Sequence, residues 1–387
     1  MSTQQGIIVQ DPKNAAITTI PLPTIRPGYM LVKTIAVALN PTDWKHIDYI
    51  PCTGAVVGCD YAGIVVEVGP EVTKPFKKGD RVFGMAHGAN ALHHENGTFA
   101  EYIVVKGDVA MRMPEGMKFE DVATFGVGTV TVGQALYQTL KLPLPTEPAK
   151  EPFPLLIYGG STATGMLAIQ FAKLYYPFPS CNLTSYPTPT NKLPSSNLTV
   201  ITTCSPRNFD LVKSLGATAV FDYNDPSCGS KINAYTHNTL QHVFDCISLP
   251  NTIFDRNSLP SSVSICCTAL SSSPTTTTTG GCHYSSLQPI EDFPRKDIIN
   301  KVTFGYTAIG ERCLLGKLDL PVSKEDFEFW KMWSGIAEGL IAEGKVRPVP
   351  TEVGKGLEGV LEGLQRMREG KVSGRKLVYR IGEEESL

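Results

Sequence analysis

The chain has 387 residues, 42% of them hydrophobic, and a formal charge of −2 from 35 basic and 37 acidic side chains. That length buries a large core and accommodates two domains, and balanced charge without a basic run gives no electrostatic case for nucleic acid. No apolar run reaches bilayer length, residues 1–10 carry neither a basic start nor an apolar block, and the ten cysteines are scattered without a C-x-x-C pair, so neither membrane anchoring, secretion, a disulfide framework nor a zinc ribbon is expected, and a cytoplasmic location is.

In chain order, short apolar or alternating runs at 6–9, 30–38, 63–68, 81–84 and 100–105, punctuated by Pro, Gly and Asp, predict a strand-rich, β-barrel-like domain. From about residue 120 the texture changes. Residues 121–140 read as helical with glycine interruptions, followed by a strand at 155–158, a helix at 166–175, a strand at 198–203 and a helix at 207–215. Further strands are predicted at 219–222, 242–246, 262–268 and 302–306. Strands alternating with helices point to an α/β, Rossmann-type, doubly wound parallel sheet. Segments 177–197 and 271–281, rich in Ser, Thr, Pro, Asn or Gly, are expected to be flexible surface insertions. Towards the C-terminus, Ser323 and Asp326 open a helix whose apolar positions include Phe327, Trp330, Ala337, Leu340 and Ile341. A second helix carries Leu357, Val360, Leu361, Leu364 and Met367 and stops at Gly370.

The chemistry begins at the strand Leu155-Leu156-Ile157-Tyr158, which runs into Gly159-Gly160-Ser161-Thr162-Ala163-Thr164-Gly165 and then a helix. A strand feeding a helix through a turn with little side-chain bulk lets backbone N–H groups and the positive helix end approach a pyrophosphate. Thr162 replaces one glycine of the usual pattern and is expected to offer its hydroxyl there. After the next strand come Cys204-Ser205-Pro206-Arg207-Asn208, where a nucleotide fold presents its ribose-recognition group. A hydroxyl, a guanidinium and an amide suit a dianionic 2′-phosphate through charge-assisted contacts. NADPH is the expected cofactor.

Asn40-Pro41-Thr42-Asp43-Trp44-Lys45, Gly58-Cys59-Asp60-Tyr61-Ala62-Gly63, Lys78-Gly79-Asp80-Arg81-Val82, Leu215-Gly216-Ala217 and Phe221-Asp222-Tyr223 together resemble the medium-chain dehydrogenase/reductase superfamily over nearly the whole chain. The 40–45 and 205–208 segments and the closing Gly370-Lys371-Val372-Ser373-Gly374-Arg375-Lys376 make it similar to fungal stand-alone enoyl reductases that act in trans on polyketide synthases or their peptide-synthetase hybrids. The resemblance implies a GroES-like substrate domain from 1–123 and 308–387, a Rossmann domain from 124–307, and an active site in the cleft. It implies cofactor contacts from Asp43, Trp44, Lys45, Thr162, Ala163, Thr164, Gly165, Ser205, Pro206, Arg207, Asn208, Tyr223, Leu270, Val372 and Ser373. The substrate channel would be lined by Thr124, Phe125, Gly126, Val127, Gly128, Thr129, Val130 and Thr131, and the acyl pocket by Thr303, Phe304, Gly305, Tyr306 and Thr307. Read bare, that last string is an ordinary strand. A monomer is implied, working with the carrier-protein domain of a separate synthase.

Zinc alcohol dehydrogenases of the superfamily carry a cysteine in the segment matching 40–45 and Gly-His-Glu where this chain has Gly58-Cys59-Asp60; neither ligand set is present, and 85–99 contains no cysteine. No metal is expected. A rival metal site would draw on His87, His93, His94 and Glu95. Without a Lewis acid, conjugate reduction of an α,β-unsaturated thioester becomes the natural reaction, and the enzyme must stabilise an enolate. Lys45 is the candidate for that task or for delivering the α-proton; Thr124 is the second candidate and solvent a third source. The competing readings are a zinc-independent quinone or free-enone reductase and a non-catalytic NADPH-binding accessory protein.

Overall fold

The computed structural model describes residues 2–147, 149–174, 196–248, 261–274 and 281–384. Segments 177–197 and 271–281 lie largely outside them. The chain opens with β1 (Thr3–Asp11), β2 (Asn14–Pro21), β3 (Tyr29–Ala38), α1 (Pro41–Tyr49), β4 (Asp60–Val68), β5 (Arg81–Met85), β6 (Tyr102–Lys106), β7 (Met111–Arg112), α2 (Phe119–Val122) and α3 (Gly126–Gly133). It continues through β8 (Phe153–Tyr158), α4 (Ala163–Lys173), β9 (Leu198–Thr203), α5 (Phe209–Ser214), β10 (Ala219–Phe221), α6 (Cys228–Tyr235), β11 (His242–Asp245), α7 (Ser262–Ala269), β12 (Cys282–Ser286) and β13 (Ile298–Val302). It closes with β14 (Cys313–Leu315), β15 (Leu318–Leu320), α8 (Lys324–Ala342), β16 (Thr351–Lys355), α9 (Gly356–Arg368) and β17 (Lys376–Arg380). Two units result: Met1–Val130 with Phe304–Leu387, and Thr131–Thr303. Residues 124–130 and 304–307, assigned above to the Rossmann segment, thus belong to the first unit.

In the first unit a seven-stranded sheet runs β16-β17-β3-β4-β5-β7, with β6 also on β3. β3 is its spine: nearly every residue is buried, because it has partners on both sides and apolar side chains on both faces. Met30, Val32, Val65, Val82, Ile103 and Val105 fill one core. A second core packs Ile47 of α1 against Leu357, Val360 and Leu364 of α9 and Leu377 of β17. The α9 positions recur at helical spacing, so that face is dictated by the sequence. Asn40 and Asp43 form a capping box at α1, with Pro41 in the first turn, which starts the helix at a fixed point.

The second unit is a six-stranded parallel sheet in the order β10-β9-β8-β11-β12-β13. β8 has β9 on one side and β11 on the other, so the strand order reverses there, which is where a doubly wound sheet opens a crevice at its carboxyl end.

Two sequence expectations change. The run expected as a strand at 262–268 is helix α7. The Ser261 hydroxyl accepts from Ser264 N–H at 3.2 Å, and Ser262, Ile265, Cys266 and Ala269 turn inward, a three-four spacing that a strand cannot present to one core. The fifth strand is instead β12. Likewise the strand expected at 302–306 stops at Val302, and Gly305–Ile309 form a 3₁₀ turn closed by Gly310 at φ +77°.

Candidate active site

In the second unit the turn after β8 is shaped to bring backbone close to a ligand. Gly159 has φ +83°, a conformation L side chains avoid. A Cβ on Gly160 would collide with Thr202 Oγ1, and one on Gly165 with the Gly159 carbonyl. Thr162 caps α4: its hydroxyl accepts from Gly165 N–H at 2.9 Å and donates to the Gly159 carbonyl at 2.8 Å. That hydroxyl is therefore consumed in locking the turn, contrary to the expectation that it faces a phosphate. Thr203 pins the turn to β9, its Oγ1 accepting from Gly159 N–H at 3.1 Å and its carbonyl from Gly160 N–H at 2.9 Å. Met166 N–H bonds the Thr162 carbonyl, which leaves the Ala163 and Thr164 N–H groups as those a helix end offers outward. A bare cradle with two outward donors fits a pyrophosphate.

At the ends of β9 and β10, Ser205 Oγ and the Tyr223 hydroxyl lie 3.1 Å apart. Arg207 is exposed and forms no ion pair among the described residues. Asp222, the nearby acid, is committed to Asn224, accepting from its N–H and Nδ2 at 2.9 Å each. Pro206 is exposed at the start of a 3₁₀ turn, whereas Asn208 is buried.

Leu270 is brought elsewhere. It is buried in the core with Val263, Tyr284 and Ile298, and the next N–H, of Ser271, donates to Leu240 at the amino end of β11. The carboxyl end of the neighbouring strand carries Ser286 and Leu287 instead. There Asp245 Oδ1 accepts from Ile247 and Ser248 N–H at 2.8 and 2.9 Å, and its Oδ2 from the Tyr284 hydroxyl at 2.5 Å. Ser248 Oγ accepts from Leu287 N–H at 2.7 Å. Burial pushes the Asp245 carboxyl up. This hub ties the ends of β11 and β12, and its tyrosine sits on 282–286, a strand absent from the sequence expectations.

The first unit holds a polar cluster around α1. Asn40 Nδ2 donates to Asp60 Oδ2 at 2.9 Å, Lys376 Nζ reaches Asn40 Oδ1 at 2.9 Å and Asp60 Oδ2 at 2.5 Å, and Val127 N–H donates to Asp60 Oδ1 at 2.5 Å. Asp43 Oδ2 accepts from Asn40 N–H at 2.7 Å; burial above all, with Asp60 adding to it, pushes the Asp43 carboxyl up to about 7. One step further, Thr42 Oγ1 lies 2.6 Å from the Tyr306 hydroxyl, which is 3.6 Å from Cys59 Sγ. His87 stacks on the Tyr306 ring at 4.2 Å, and the His46 ring meets it edge-on at 5.5 Å. His46 also walls a cavity of about 480 Å³ with Tyr49, Ile50, Pro51 and Leu314.

Lys45 is half-buried on α1, pairs with no acid among the described residues, and burial pushes its ammonium down. Trp44 and Val372 pack against the same hydrophobic core, and Ser373 is exposed. The Thr124 hydroxyl donates to the Asp121 carbonyl at 2.7 Å and the residue has no exposed surface, so it caps a local turn. Phe125 packs on Phe83. Gly126, Gly128, Thr129, Val130 and Thr131 are buried, Thr129 with its carbonyl on Trp333 Nε1 at 2.9 Å, and only Val127 of the stretch is half-exposed. Thr303 Oγ1 bonds Ser285 Oγ at 3.0 Å, and Thr307 Oγ1 donates to the Phe304 carbonyl at 2.9 Å. Phe304, Gly305 and Tyr306 are half-buried. Of His87, His93, His94 and Glu95, Glu95 pairs with Arg26, His94 Nε2 faces Cys52 Sγ at 3.3 Å, and His87, with His93 near it, stacks on Tyr306. Among the described residues no three His, Cys, Asp or Glu side chains are grouped so as to hold a metal ion.

Residues 26–115 match the model of the alcohol dehydrogenase GroES-like domain. The chain is 42% identical to trans-enoyl reductase resD of Aspergillus sclerotiorum, over 97% of this chain and all of that one. It is 40% identical to trans-enoyl reductase ACTTS2 of Alternaria alternata, over 98% of this chain and all of that one. Among solved structures, CurK enoyl reductase superposes with a TM-score of 0.70 at 15% identity, covering 98% of this chain and all of that one, a likeness of fold.

Proposed function

The chain belongs to the trans-enoyl reductases of the medium-chain dehydrogenase/reductase superfamily, and from that membership we propose that it uses NADPH to reduce the α,β-double bond of a polyketide thioester carried by a separate synthase. The nicotinamide dinucleotide, when bound, supplies a hydride. The glycine turn of 159–165 and the outward N–H groups of Ala163 and Thr164 hold its pyrophosphate. The observation that carries the choice of NADPH is the meeting of the Ser205 and Tyr223 hydroxyls two residues before the exposed Arg207, which has no ion pair among the described residues, with Asp222 tied back into its own turn. A dianion there gains two hydroxyl contacts and one charge-assisted contact, each stronger than its neutral counterpart. Ser286 and Leu287, at the carboxyl end of β12, take the role that the family pattern had suggested for Leu270.

Lys45 delivers the α-proton. Its flank of α1 is partly open, and a depressed ammonium gives up a proton more readily. The cavity beside His46, apolar on most walls, receives part of the acyl chain or its arm. The partner is the carrier-protein domain of a polyketide synthase or peptide-synthetase hybrid, which the protein meets as a cytosolic monomer. The test is direct: the purified protein oxidises NADPH when given a 2-butenoyl pantetheine thioester, and the product gains two hydrogens by mass. Arg207→Glu is expected to raise the KM for NADPH at least tenfold while changing that for NADH less than threefold. Equal effects on both cofactors remove the 2′-phosphate assignment.

A further inference from the structure

The hydrogen bonds around Tyr306 have a direction. His46 Nδ1 lies 2.8 Å from the Thr42 carbonyl oxygen, which can only accept, so Nδ1 carries the proton. The same N–H is 3.1 Å from Thr42 Oγ1, which therefore accepts from the imidazole. Either hydroxyl can donate across the 2.6 Å between Thr42 Oγ1 and the Tyr306 oxygen, and the sense in which Thr42 donates is the one that gives the threonine proton an acceptor. Tyr306 is left with its own phenolic proton to give. Its other close polar neighbour is Cys59 Sγ at 3.6 Å, a weak acceptor. The ring is held by the His87 face and the His46 edge, so the hydroxyl is fixed before any substrate arrives. Burial holds the phenol protonated and the His46 imidazole neutral, which keeps the polarity of the chain.

We propose that the Tyr306 hydroxyl is a catalytic residue that donates a hydrogen bond to the thioester carbonyl oxygen during conjugate reduction. The inference rests on the enoyl reductase reading above. In the step concerned, hydride forms a C–H bond at the β-carbon, the double-bond pair shifts towards the carbonyl, and negative charge collects on the thioester oxygen. Tyr306 strengthens its hydrogen bond to that oxygen without transferring its proton. The carbonyl re-forms as the α-carbon takes a proton from the Lys45 ammonium, leaving the saturated thioester and the oxidised cofactor. A preorganised donor aimed at developing charge requires no reorientation during the reaction, and removing one such donor lowers turnover about a hundredfold to a thousandfold. Tyr306 takes the electrophilic role in the segment pair, 40–45 and 58–60, whose counterparts carry metal ligands in zinc alcohol dehydrogenases.

Tyr306→Phe keeps the stacked ring and deletes the hydroxyl. The expected result is a kcat about a hundredfold lower with KM for 2-butenoyl pantetheine within threefold. Thr42→Val, which leaves the phenol but not its orienting donor, is expected to fall between the two. A hydrogen bond to the carbonyl also polarises a conjugated acyl group, so 2,4-hexadienoyl pantetheine bound to the NADP⁺ complex should show a red-shifted absorption band in the wild type that returns to its solution position in Tyr306→Phe. Turnover within threefold of wild type together with an unmoved band in folded, NADPH-binding Tyr306→Phe overturns the proposal and leaves the reductase reading intact. A wild-type protein that reduces no enoyl thioester overturns both. Should Tyr306→Phe fail to fold, Thr42→Val and its absorption band decide: a wild-type band and wild-type turnover in that variant count against the oriented donor.

Discussion

Asp60 and Lys376 are 0% and 2% exposed at their side chains, and two charges so far from water survive because each is held by the other and by further hydrogen bonds. Asp60 takes Lys376, Asn40 Nδ2 and the Val127 N–H. Removing one partner of such a pair leaves the other charge buried and uncompensated, at a cost of about 3–5 kcal/mol, whereas neutralising both is far milder. Lys376→Met is therefore expected to lower unfolding stability by about that amount, and Asp60→Asn with Lys376→Met to recover at least half of it, both read from urea curves followed by tryptophan fluorescence. A double variant no better than the single one would mean the pair is not the reason for the loss. The sequence exposed each half of this pair separately: Asp60 as a departure from a zinc motif and Lys376 as the end of a closing segment. Nothing in a linear string joins residues 316 positions apart, so the bond itself was invisible.

At the scale of elements, the turn from β8 into α4 depends on the absence of three Cβ atoms and the presence of one hydroxyl. Gly165→Ala sets a methyl against the Gly159 carbonyl, and backbone cannot swing aside as a side chain can. NADPH binding is expected to be lost in Gly165→Ala while the first unit stays folded. Thr162→Ala removes an N-cap worth about 1 kcal/mol and loosens the turn, so NADPH affinity should weaken severalfold, with Thr162→Ser close to wild type. Equal affinities for Thr162→Ala and wild type, by cofactor fluorescence, would show that the cap does not shape the cradle. This turn was legible because its constraint is local: a strand, a small-residue gap and a helix lie next to one another. Helix α7 was not, since Ser262 to Ala269 mixes β-branched residues and cysteines that suit strand and helix alike, and only core burial decides between them. With 262–269 a helix, the strand that follows is β12, which carries Ser286 and Leu287 at its carboxyl end, while Leu270, suggested by the family pattern, lies in the core. Tyr306 shows the opposite case: it was named from a family pattern as pocket lining, while its hydrogen-bond direction needs Thr42 and His46 folded beside it.

For the whole molecule, the buried ionisable groups give each unit its own response to acid. Burial, with His46 and His93 adding, pushes the His87 imidazole down to about 3, and in the second unit burial, with stacked His283 adding, pushes His242 down to about 4. Unfolded histidine titrates near 6.5, so between these values the unfolded chain binds more protons and the folded units lose stability as pH falls. Asp43 has the other sign. Its folded value of about 7 lies above that of an unfolded carboxyl, so the folded state binds the extra proton, and its contribution falls as pH rises from about 4 to about 7. In the first unit, then, His87 and Asp43 oppose each other. The three tryptophans of the chain, Trp44, Trp330 and Trp333, all belong to that unit, and their fluorescence reads it alone. His87→Phe, which keeps a ring against Tyr306, should make the first unit gain about 2 kcal/mol at pH 5 relative to its own value at pH 8, compared with wild type. Asp43→Asn should do the reverse, steepening the loss in acid, because it removes the group that takes up a proton on folding. His242→Phe should leave the tryptophan-monitored slope unchanged and extend NADPH binding to lower pH. Wild-type slopes in both His87→Phe and Asp43→Asn would mean that neither group is held in its unusual protonation state, and the oriented network that leaves Tyr306 a free proton would lose its low-dielectric setting.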